Sequence, residues 1–254
     1  MDLIKNIVTE IFHNIISNNT SQKLDRLFED IVGYDDIKEL FARALSADKP
    51  IHILLCGPPA SAKSLFMQQL MKLDKSYFTL GSHSTKSGMI DALFEKRPRH
   101  LIIDEIDKMS TKDQTVLLSL MESGIVSETK YKRSRQIQLN KMSIFATANS
   151  SKKQQLLPPL LTRFCILHFH PYNEKEFRQI TKKVLCYEEG IDDEDVAEAI
   201  AQAVWSKMKS TNIRDCIRIG RMVRKFSVKE VNLIVDILLK YDSKQYEGKT
   251  NGTL

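Results

Sequence analysis

Cysteine is scarce in this chain, and long apolar runs are missing. The four cysteines among 254 residues stand singly, at Cys56, Cys165, Cys186 and Cys216. Because no C-x-x-C pair is present, the sequence indicates neither a zinc site nor a disulfide framework, and free thiols fit a reducing cytosol. No stretch approaches the roughly 18–20 apolar residues of a membrane span, and residues 1–16 lack the pattern of a signal peptide. We therefore expect a cytoplasmic protein.

The chain also lacks a strong excess of positive or negative residues. The formal net charge is +6, and the chain has 42% apolar and 28% charged residues. This ordinary balance predicts a folded globular core, and the mild basic excess permits an anionic partner without requiring one. The length suits one large domain, or a medium domain followed by a small one.

Short apolar runs alternate with helical patterns between about residues 51 and 169. The runs at 51–56, 77–80, 100–104, 143–148 and 165–169 are predicted to be buried strands. Helical patterns occupy 64–73, 88–95 and 113–122. Apolar strands alternating with helices are typical of a parallel sheet that is covered by helices on both faces. The sequence therefore predicts a doubly wound α/β domain.

After Pro171 every periodic stretch is helical. The helical patterns lie at 174–185, 193–207, 213–224 and 228–241, and they predict a small all-helical domain. We expect an N-terminal amphipathic helix at 1–24, the α/β domain at 25–170, the helical domain at 171–244 and a tail at 245–254.

Residues 57–64 (GPPASAKS) follow a predicted strand and open a predicted helix, which is the context that a phosphate-binding loop requires. In such a loop, backbone N–H groups cradle phosphate oxygens at a helix N-terminus. Lys63 would reach the β- and γ-phosphates of a nucleotide, and the Ser64 hydroxyl would bind Mg²⁺. Contacts with ATP are expected from Gly57, Pro58, Pro59, Ala60, Ser61, Ala62, Lys63, Ser64 and Leu65.

Ala62 stands where the usual motif has glycine. Alanine fits there if the backbone is near helical, and it is strained if the backbone needs a positive φ. On the loop alone, a strand–turn–helix with chance residues is the alternative interpretation.

Asp104 and Glu105 end an apolar strand about forty residues after this loop. Open α/β sheets bind ligands at the carboxyl ends of their strands. Asp104 would hold Mg²⁺, mostly through water, and Glu105 would take a proton from the attacking water as general base. A helix N-cap could explain one of these acids, but not the apolar run downstream of a phosphate loop.

From about residue 27 to 241 the sequence resembles the AAA+ ATPases. Residues 28–34 resemble the segment that packs on adenine, which implies nucleotide contacts for Val32 and Gly33. Residues 144–149 resemble the sensor-1 strand, whose Asn149 would orient the attacking water. The resemblance implies an AAA+ core sheet, flanked by helices and followed by a small helical lid domain.

The same resemblance implies roles for two arginines. Residues 160–164 resemble the arginine-finger segment, in which Arg163 would reach the γ-phosphate of a neighbouring subunit; a surface salt bridge is the alternative. Residues 212–215 resemble sensor 2, in which Arg214 would contact the nucleotide, although Arg218 or Arg221 could take that part. Because this arginine finger is supplied by a neighbouring subunit, the resemblance implies a homo-oligomeric ring, most often a hexamer in this family.

Residues 125–139 form an insertion before the sensor-1 strand, with 125–127 and 136–139 as predicted hairpin strands. It resembles the hairpin of Holliday-junction branch-migration helicases, minichromosome-maintenance helicases and MoxR-type ATPases. Lys130, Lys132, Arg133 and Arg135 would lie at the tip and could contact DNA phosphates. A solvated hairpin tip is the plain alternative.

These features predict an ATPase that remodels a macromolecule, with DNA as the favoured substrate for a helicase or a branch-migration-like motor. A MoxR-type protein-remodelling chaperone and a slow nucleotide-dependent assembly switch stay open as alternatives. Residues 81–88 lack the aromatic–hydrophobic pair of protein-threading pore loops. The amphipathic residues 1–20 could capture a protein partner.

Overall fold

The computed structural model describes residues 26–59, 61–130, 133–149, 155–187 and 189–241. These residues divide into two compact units. The first comprises the described residues from 26 to 58 and from 62 to 170, and the second comprises residues 59 and 61 and the described residues from 171 to 241. The expectations for residues 1–24, Ala60, Lys132 and the tail at 245–254 lie outside the described residues.

The first unit is built on a five-stranded sheet in which all paired strands are parallel. Its strands are β1 (Ile53–Gly57), β2 (Ser76–Leu80), β3 (His100–Asp104), β6 (Ser143–Asn149) and β7 (Cys165–His168), in the order β2-β3-β6-β1-β7. Each strand starts and ends within two residues of its predicted position. The predicted α/β fold is therefore confirmed.

Helices connect these strands, and several begin at a polar cap. They are α1 (Asp35–Ser46), α2 (Lys63–Leu70), α3 (Lys86–Lys96), α4 (Thr111–Ser123) and the short α5 (Pro158–Leu161). Thr85 and Ser110 accept hydrogen bonds from the backbone N–H groups of Gly88 and Asp113, which satisfies amide groups at the helix starts. α4 ends at Gly124, whose φ of 67° is the left-handed conformation that glycine adopts readily.

The three central strands of the sheet, β3, β6 and β1, are buried on both faces, whereas the edge strands β2 and β7 are only partly buried. All five residues of β1 are buried, as expected for a strand that is covered on both sides. One face carries an aromatic cluster, in which Phe66 lies 5.1 Å from Phe28 and 5.4 Å from Phe41 between ring centroids. The other face is mainly aliphatic and contains Leu54 and Leu101 among its buried residues.

The insertion forms a two-stranded antiparallel hairpin, with β4 at Ile125–Lys130 and β5 at Arg133–Gln138. We call β4 and β5 the insertion hairpin. The buried side chains of Val126 and Ile137 belong to the aliphatic core, so the base of the hairpin is fixed to the domain. The strands run further than the sequence indicated, and Arg135 pairs with Glu128 inside the ladder instead of lying at the tip.

The second unit is helical where the structure describes it. Its helices are α6 (Glu174–Tyr187), α7 (Glu194–Ser206), α8 (Ile213–Met222) and α9 (Val228–Lys240). Asp193, Asn212 and Ser227 cap three of them with side-chain hydrogen bonds to backbone N–H groups. The helical C-terminal segment is thus confirmed. Within the described ranges, no helix combines the length and the apolar character needed to cross a membrane.

Candidate nucleotide site

Three chain segments meet at the carboxyl edge of the parallel sheet. In the strand register, Gly57 at the end of β1 pairs with Asn149 at the end of β6. On the other side of β6, Ile103 pairs with Ala146, so Asp104 follows directly beside Thr147. Gly57, which opens the phosphate loop (residues 57–64), the acidic pair (Asp104 and Glu105) and Asn149 therefore lie at one edge, where open α/β sheets bind ligands.

Lys63 is the first residue of α2, and its side chain folds back onto the phosphate loop. Its Nζ donates hydrogen bonds to the carbonyl oxygens of Gly57, at 2.9 Å, and Pro58, at 2.6 Å. The residue is only 6% exposed, and burial lowers the pKa of its ammonium, while the nearby Asp104 carboxylate acts in the opposite direction. A buried ammonium held by two carbonyls at a helix N-terminus suits the binding of phosphate oxygens.

The backbone conformation at Ala62 shows whether alanine can stand in place of the usual glycine without strain. Ala62 has φ −62° and ψ 0°, and it immediately precedes α2. No positive φ is required, so alanine occupies this position without the strain of a left-handed backbone. Ser64 follows as a half-buried residue in the first turn of α2, whereas Leu65 is 37% exposed.

The segment before the phosphate loop makes a tight turn. Gly33 and Tyr34 both have positive φ, at 72° and 57°. The Tyr34 ring stacks on Phe169 with 4.7 Å between centroids, and its hydroxyl donates a hydrogen bond to the His170 carbonyl at 3.0 Å. Val32 and Gly33 are half-buried in this turn.

The acidic pair has an unusual backbone and a shared polar partner. Glu105 has φ 56° and ψ 49°, a left-handed conformation that costs an L-residue roughly 1–2 kcal/mol. Its N–H donates a hydrogen bond of 2.9 Å to the Thr147 hydroxyl, and this hydroxyl donates to Asp104 Oδ1. Thr147 was not identified from the sequence, in which it is one polar residue within an apolar strand.

A lysine contacts the carboxylate that we expect to act as the general base. Lys108 ends the 3₁₀ turn at Ile106–Lys108, and its Nζ lies 2.6 Å from Glu105 Oε2. Both side chains are 39% exposed. The hydrogen bond to Glu105 raises the pKa of Lys108, so this ammonium is charged at neutral pH. Nothing in the sequence marks Lys108 except its closeness to the acidic pair.

A buried carboxylate and a glycine lie against Asn149 and the acidic pair at the same edge of the sheet. Asp107 is 2% exposed; its Oδ1 accepts a hydrogen bond of 3.4 Å from the Asn149 N–H, and its Oδ2 has no hydrogen-bond partner among the described residues. On the other side, a Cβ placed on Gly81 would lie 2.1 Å from the Glu105 carbonyl oxygen. Only glycine therefore fits where β2 ends against the backbone of the acidic pair.

Within the described ranges, Arg163 makes its polar contacts away from the phosphate loop and the acidic pair. It donates a hydrogen bond to the Pro159 carbonyl at 2.7 Å and forms an ion pair with Glu122 at 3.1 Å. The structure therefore does not bring Arg163 to the other predicted site residues of the same chain.

The three arginines of α8 differ in their contacts inside the helical unit. Arg221 makes two hydrogen bonds of 2.7 Å to Glu189, and Arg218 pairs with Asp215 at 3.2 Å. Arg214 is exposed, and among the described residues its side chain makes no ion pair. Of the three, Arg214 is thus the one without an ion pair to another described residue.

Arg135 is held against the domain and is not a free cation at the hairpin tip. It forms ion pairs with Glu128 at 2.6 Å and with Asp91 of α3, and its guanidinium lies 4.4 Å from the centre of the Phe94 ring. The predicted position of Arg135 at the tip is therefore corrected, since it lies in the ladder with its Nε and Nη2 engaged by carboxylates, while its contact with DNA stays a prediction. Lys130 and Arg133 end the paired strands, but the placement of their side chains lies outside the described part.

The comparison with known sequences identifies a family domain. Residues 53–172 match the family AAA, described as "ATPase family associated with various cellular activities". Over 195 residues the chain is 27% identical to the zygotic DNA replication licensing factor mcm6-A of Xenopus laevis, covering 61% of this chain and 22% of that protein. It is 29% identical over 128 residues to the minichromosome maintenance protein MCM of Saccharolobus solfataricus, covering 39% and 19%. The chain thus spans about a fifth of the length of these relatives.

Solved structures show the same fold. A single-residue mutant of Thermotoga maritima RuvB superposes with a TM-score of 0.64 at 22% identity, covering 87% of this chain and 74% of that one. The Thermotoga maritima RuvB Holliday junction branch migration motor gives a TM-score of 0.60 at 22% identity, covering 82% and 70%. The shared fold is a mostly parallel sheet flanked by helices, with a helical C-terminal segment. The family match implies ATPase activity in general terms.

Proposed function

We propose that this chain, which resembles the AAA+ P-loop ATPases in sequence and has their fold, hydrolyses ATP to ADP and phosphate to drive the remodelling of DNA. The observation that carries the proposal is the meeting of Lys63, the acidic pair and Asn149 at one edge of the sheet. A buried lysine on a helix N-terminus suits phosphate, and adjacent carboxylates suit a hard cation and a proton transfer.

The residues fit ATP with Mg²⁺. Lys63 would exchange its two carbonyl partners for phosphate oxygens, and the turn at Val32 and Gly33 would contact the base. Ser64 and Asp104 would hold Mg²⁺, which when bound neutralises charge that develops on the transferred phosphoryl group. Unstrained Ala62 supports this fit, because the loop keeps its backbone without glycine.

Hydrolysis needs a base and an oriented water. Glu105 would accept the proton of the attacking water, and Asn149 would orient that water. Arg163 would reach the γ-phosphate of a neighbouring subunit, and Arg214 would contact the nucleotide from the helical unit. We propose a homo-oligomeric ring, with six subunits as the expected number, because a finger from a neighbour makes hydrolysis depend on assembly.

Two observations favour DNA as the substrate. The insertion hairpin is anchored to the core by Val126 and Ile137, and the basic residues 130–133 (KYKR) join its two strands in the sequence. Cations close together in the chain can contact DNA phosphates through charge. The relatives include replication licensing factors, and one structural neighbour is the RuvB branch migration motor of Thermotoga maritima.

The test is ATP turnover with and without single-stranded and duplex DNA. The double variant Lys132→Ala/Arg133→Ala should keep basal turnover and lose the stimulation by DNA, because it removes two cations from the turn. Lys175→Ala/Lys229→Ala, which removes two exposed cations of the helical unit, is the matched control and should keep the stimulation. Stimulation that survives the turn variant contradicts DNA contact by the hairpin.

Turnover that ignores DNA but rises with protein concentration would favour the MoxR-type chaperone alternative. Residues 1–20 are then the proposed capture segment for a protein partner. Their deletion should leave ATP binding intact and abolish capture of that partner. Binding without turnover would favour the slow assembly switch instead.

A further inference from the structure

On the premise of the ATP hydrolysis proposed above, we infer that Thr147 is a positioning residue that aligns both members of the acidic pair. Thr147 lies in β6 and is 1% exposed. Its hydroxyl contacts the Glu105 N–H and the Asp104 carboxylate at the same time. It would act on hydrolysis through these two acids, without touching the nucleotide.

The strand register explains how the single Thr147 hydroxyl contacts both acidic residues. Ile103 of β3 pairs with Ala146 of β6, so the next residues, Asp104 and Thr147, are neighbours at the point where β3 ends. The hydroxyl has a single proton, and it is donated to Asp104 Oδ1. A lone pair of the same oxygen accepts the Glu105 N–H at 2.9 Å. The hydroxyl orientation is thus fixed by two different partners.

The Glu105 amide needs this partner because the chain leaves the sheet there. Glu105 is the first residue after β3, and the chain turns away there through its left-handed backbone, so its N–H is paired with the Thr147 side chain. A buried N–H without an acceptor is costly, and such groups are nearly always paired. Thr147 therefore stabilises the turn that directs the Glu105 side chain, and it limits rotation of the Asp104 carboxylate.

Removing the Thr147 hydroxyl should therefore impair Asp104 and Glu105 together. Thr147→Val keeps the shape of the side chain but removes both hydrogen bonds. Asp104 would then hold Mg²⁺ less well, and Glu105 would be poorly aligned with the attacking water. Removing a group that orients a metal ligand typically costs about 10–100-fold in metal affinity or activity. Lys63 and the phosphate loop are untouched, so ATP binding should change much less.

The experiment measures kcat, the KM for ATP and the Mg²⁺ concentration for half-maximal turnover in full-length wild type and variants. Thr147→Val should lower kcat by about 10–100-fold and shift the Mg²⁺ midpoint upward, with little change in binding of a fluorescent ATP analogue. Thr147→Ser retains the hydroxyl and should stay close to wild type. Thr147→Ala repeats the loss of the hydroxyl with a smaller side chain and should reproduce the Mg²⁺ shift if the valine variant folds poorly.

A matched control separates positioning from simple destabilisation. Thr181 is fully buried in the helical unit, and its hydroxyl contacts Cys216 Sγ at 3.6 Å. Thr181→Val removes a buried hydroxyl far along the chain from the acidic pair, and it should keep the wild-type Mg²⁺ midpoint. All turnover is measured below the lowest melting temperature among the variants.

Two results would overturn the inference while leaving the proposed function intact. One is an active wild type whose Thr147→Val variant has the same kcat and Mg²⁺ midpoint. The other is a Thr147→Ser variant that loses as much turnover as Thr147→Val, because the methyl group and its packing would then matter instead of the hydroxyl. A wild type without turnover at any Mg²⁺ or protein concentration would refute the proposed function itself, and with it the inference.

Discussion

The Lys108 ammonium lies 2.6 Å from the Glu105 carboxylate, so the proposed general base begins its reaction cycle in an ion pair. Glu105 must turn from Lys108 toward water to accept a proton. Because both side chains are partly exposed, salt screens the contact and it can open. We therefore expect the pair to restrain the proposed hydrolysis without blocking it.

We predict that Lys108→Met raises basal ATP turnover severalfold, because the carboxylate is released. Lys108→Arg keeps an opposite charge and should hold turnover near the wild-type level. High salt should raise wild-type turnover and have less effect on Lys108→Met. The measurement is steady-state hydrolysis at saturating ATP. Turnover of Lys108→Met as low as that of Glu105→Gln would mean that Lys108 assists the reaction.

Gly81→Ala should damage both stability and turnover. The added methyl group would lie 2.1 Å from the Glu105 carbonyl oxygen, so the backbone of the acidic pair must shift. Overpacking of this kind costs about 1–3 kcal/mol of unfolding free energy. Denaturant unfolding and ATP turnover measure the two effects.

Gly88→Ala is the matched glycine control. It lies in α3, and its added Cβ would meet only the Thr85 hydroxyl, at 3.1 Å. Alanine favours a helix over glycine by roughly 0.5–1 kcal/mol, so this variant should keep its activity and its stability. Equal damage from Gly81→Ala and Gly88→Ala would contradict the close approach at Gly81.

Stability should fall when the pH is lowered, and His52 should be a main cause. His52 is 8% exposed, its Nδ1 accepts the Ile144 N–H at 3.1 Å, and burial lowers its pKa to about 4. The unfolded chain therefore binds more protons than the folded one between pH 6.5 and 4. This difference removes about 2 kcal/mol of unfolding free energy between pH 7 and pH 5.

Denaturant unfolding at both pH values tests this assignment. His52→Asn offers a neutral acceptor in place of Nδ1 and should show a smaller loss of stability at pH 5. The matched control is His83→Asn, a change at an exposed histidine, which should leave the pH dependence as in wild type. An unchanged pH dependence in His52→Asn would rule out His52 as the source.

Arg135→Ala should loosen the insertion hairpin, because the guanidinium joins Glu128 of β4 to Asp91 and Phe94 of α3. We expect faster amide hydrogen exchange in β4 and β5 and a loss of DNA stimulation, with ATP binding unchanged. Lys141→Ala, an exposed cation just after the hairpin, is the control and should leave exchange unchanged. Unaltered exchange in Arg135→Ala would contradict an anchoring role.

The sequence predicted the sheet and the chemical groups at its edge, because both are local signals. Apolar runs place the strands, and the spacing of Lys63 and Ser64 after β1 identifies the phosphate loop. By contrast, the role of Thr147 depends on the register between β3 and β6, which no local pattern encodes. α1 was also missed, since Tyr34 before it is left-handed and provides no side-chain cap.

Arg135 illustrates a second limit of the sequence. Its neighbours Lys130, Lys132 and Arg133 make the whole stretch resemble a basic tip. Only the ladder pairing of Arg135 with Glu128, and the approach of Asp91 from α3, distinguish an anchoring cation from an exposed one. The contact with Asp91 joins residues that are 44 positions apart in the chain.

The most direct test of the central claim is ATP turnover by wild type and Glu105→Gln over a range of protein concentrations, with nucleotide binding measured on the same samples. We predict that wild type hydrolyses ATP at a rate per subunit that rises with concentration. Glu105→Gln should bind ATP with Mg²⁺ as well as wild type and release almost no phosphate. Equal turnover by the two proteins would contradict the assignment of Glu105 as the general base.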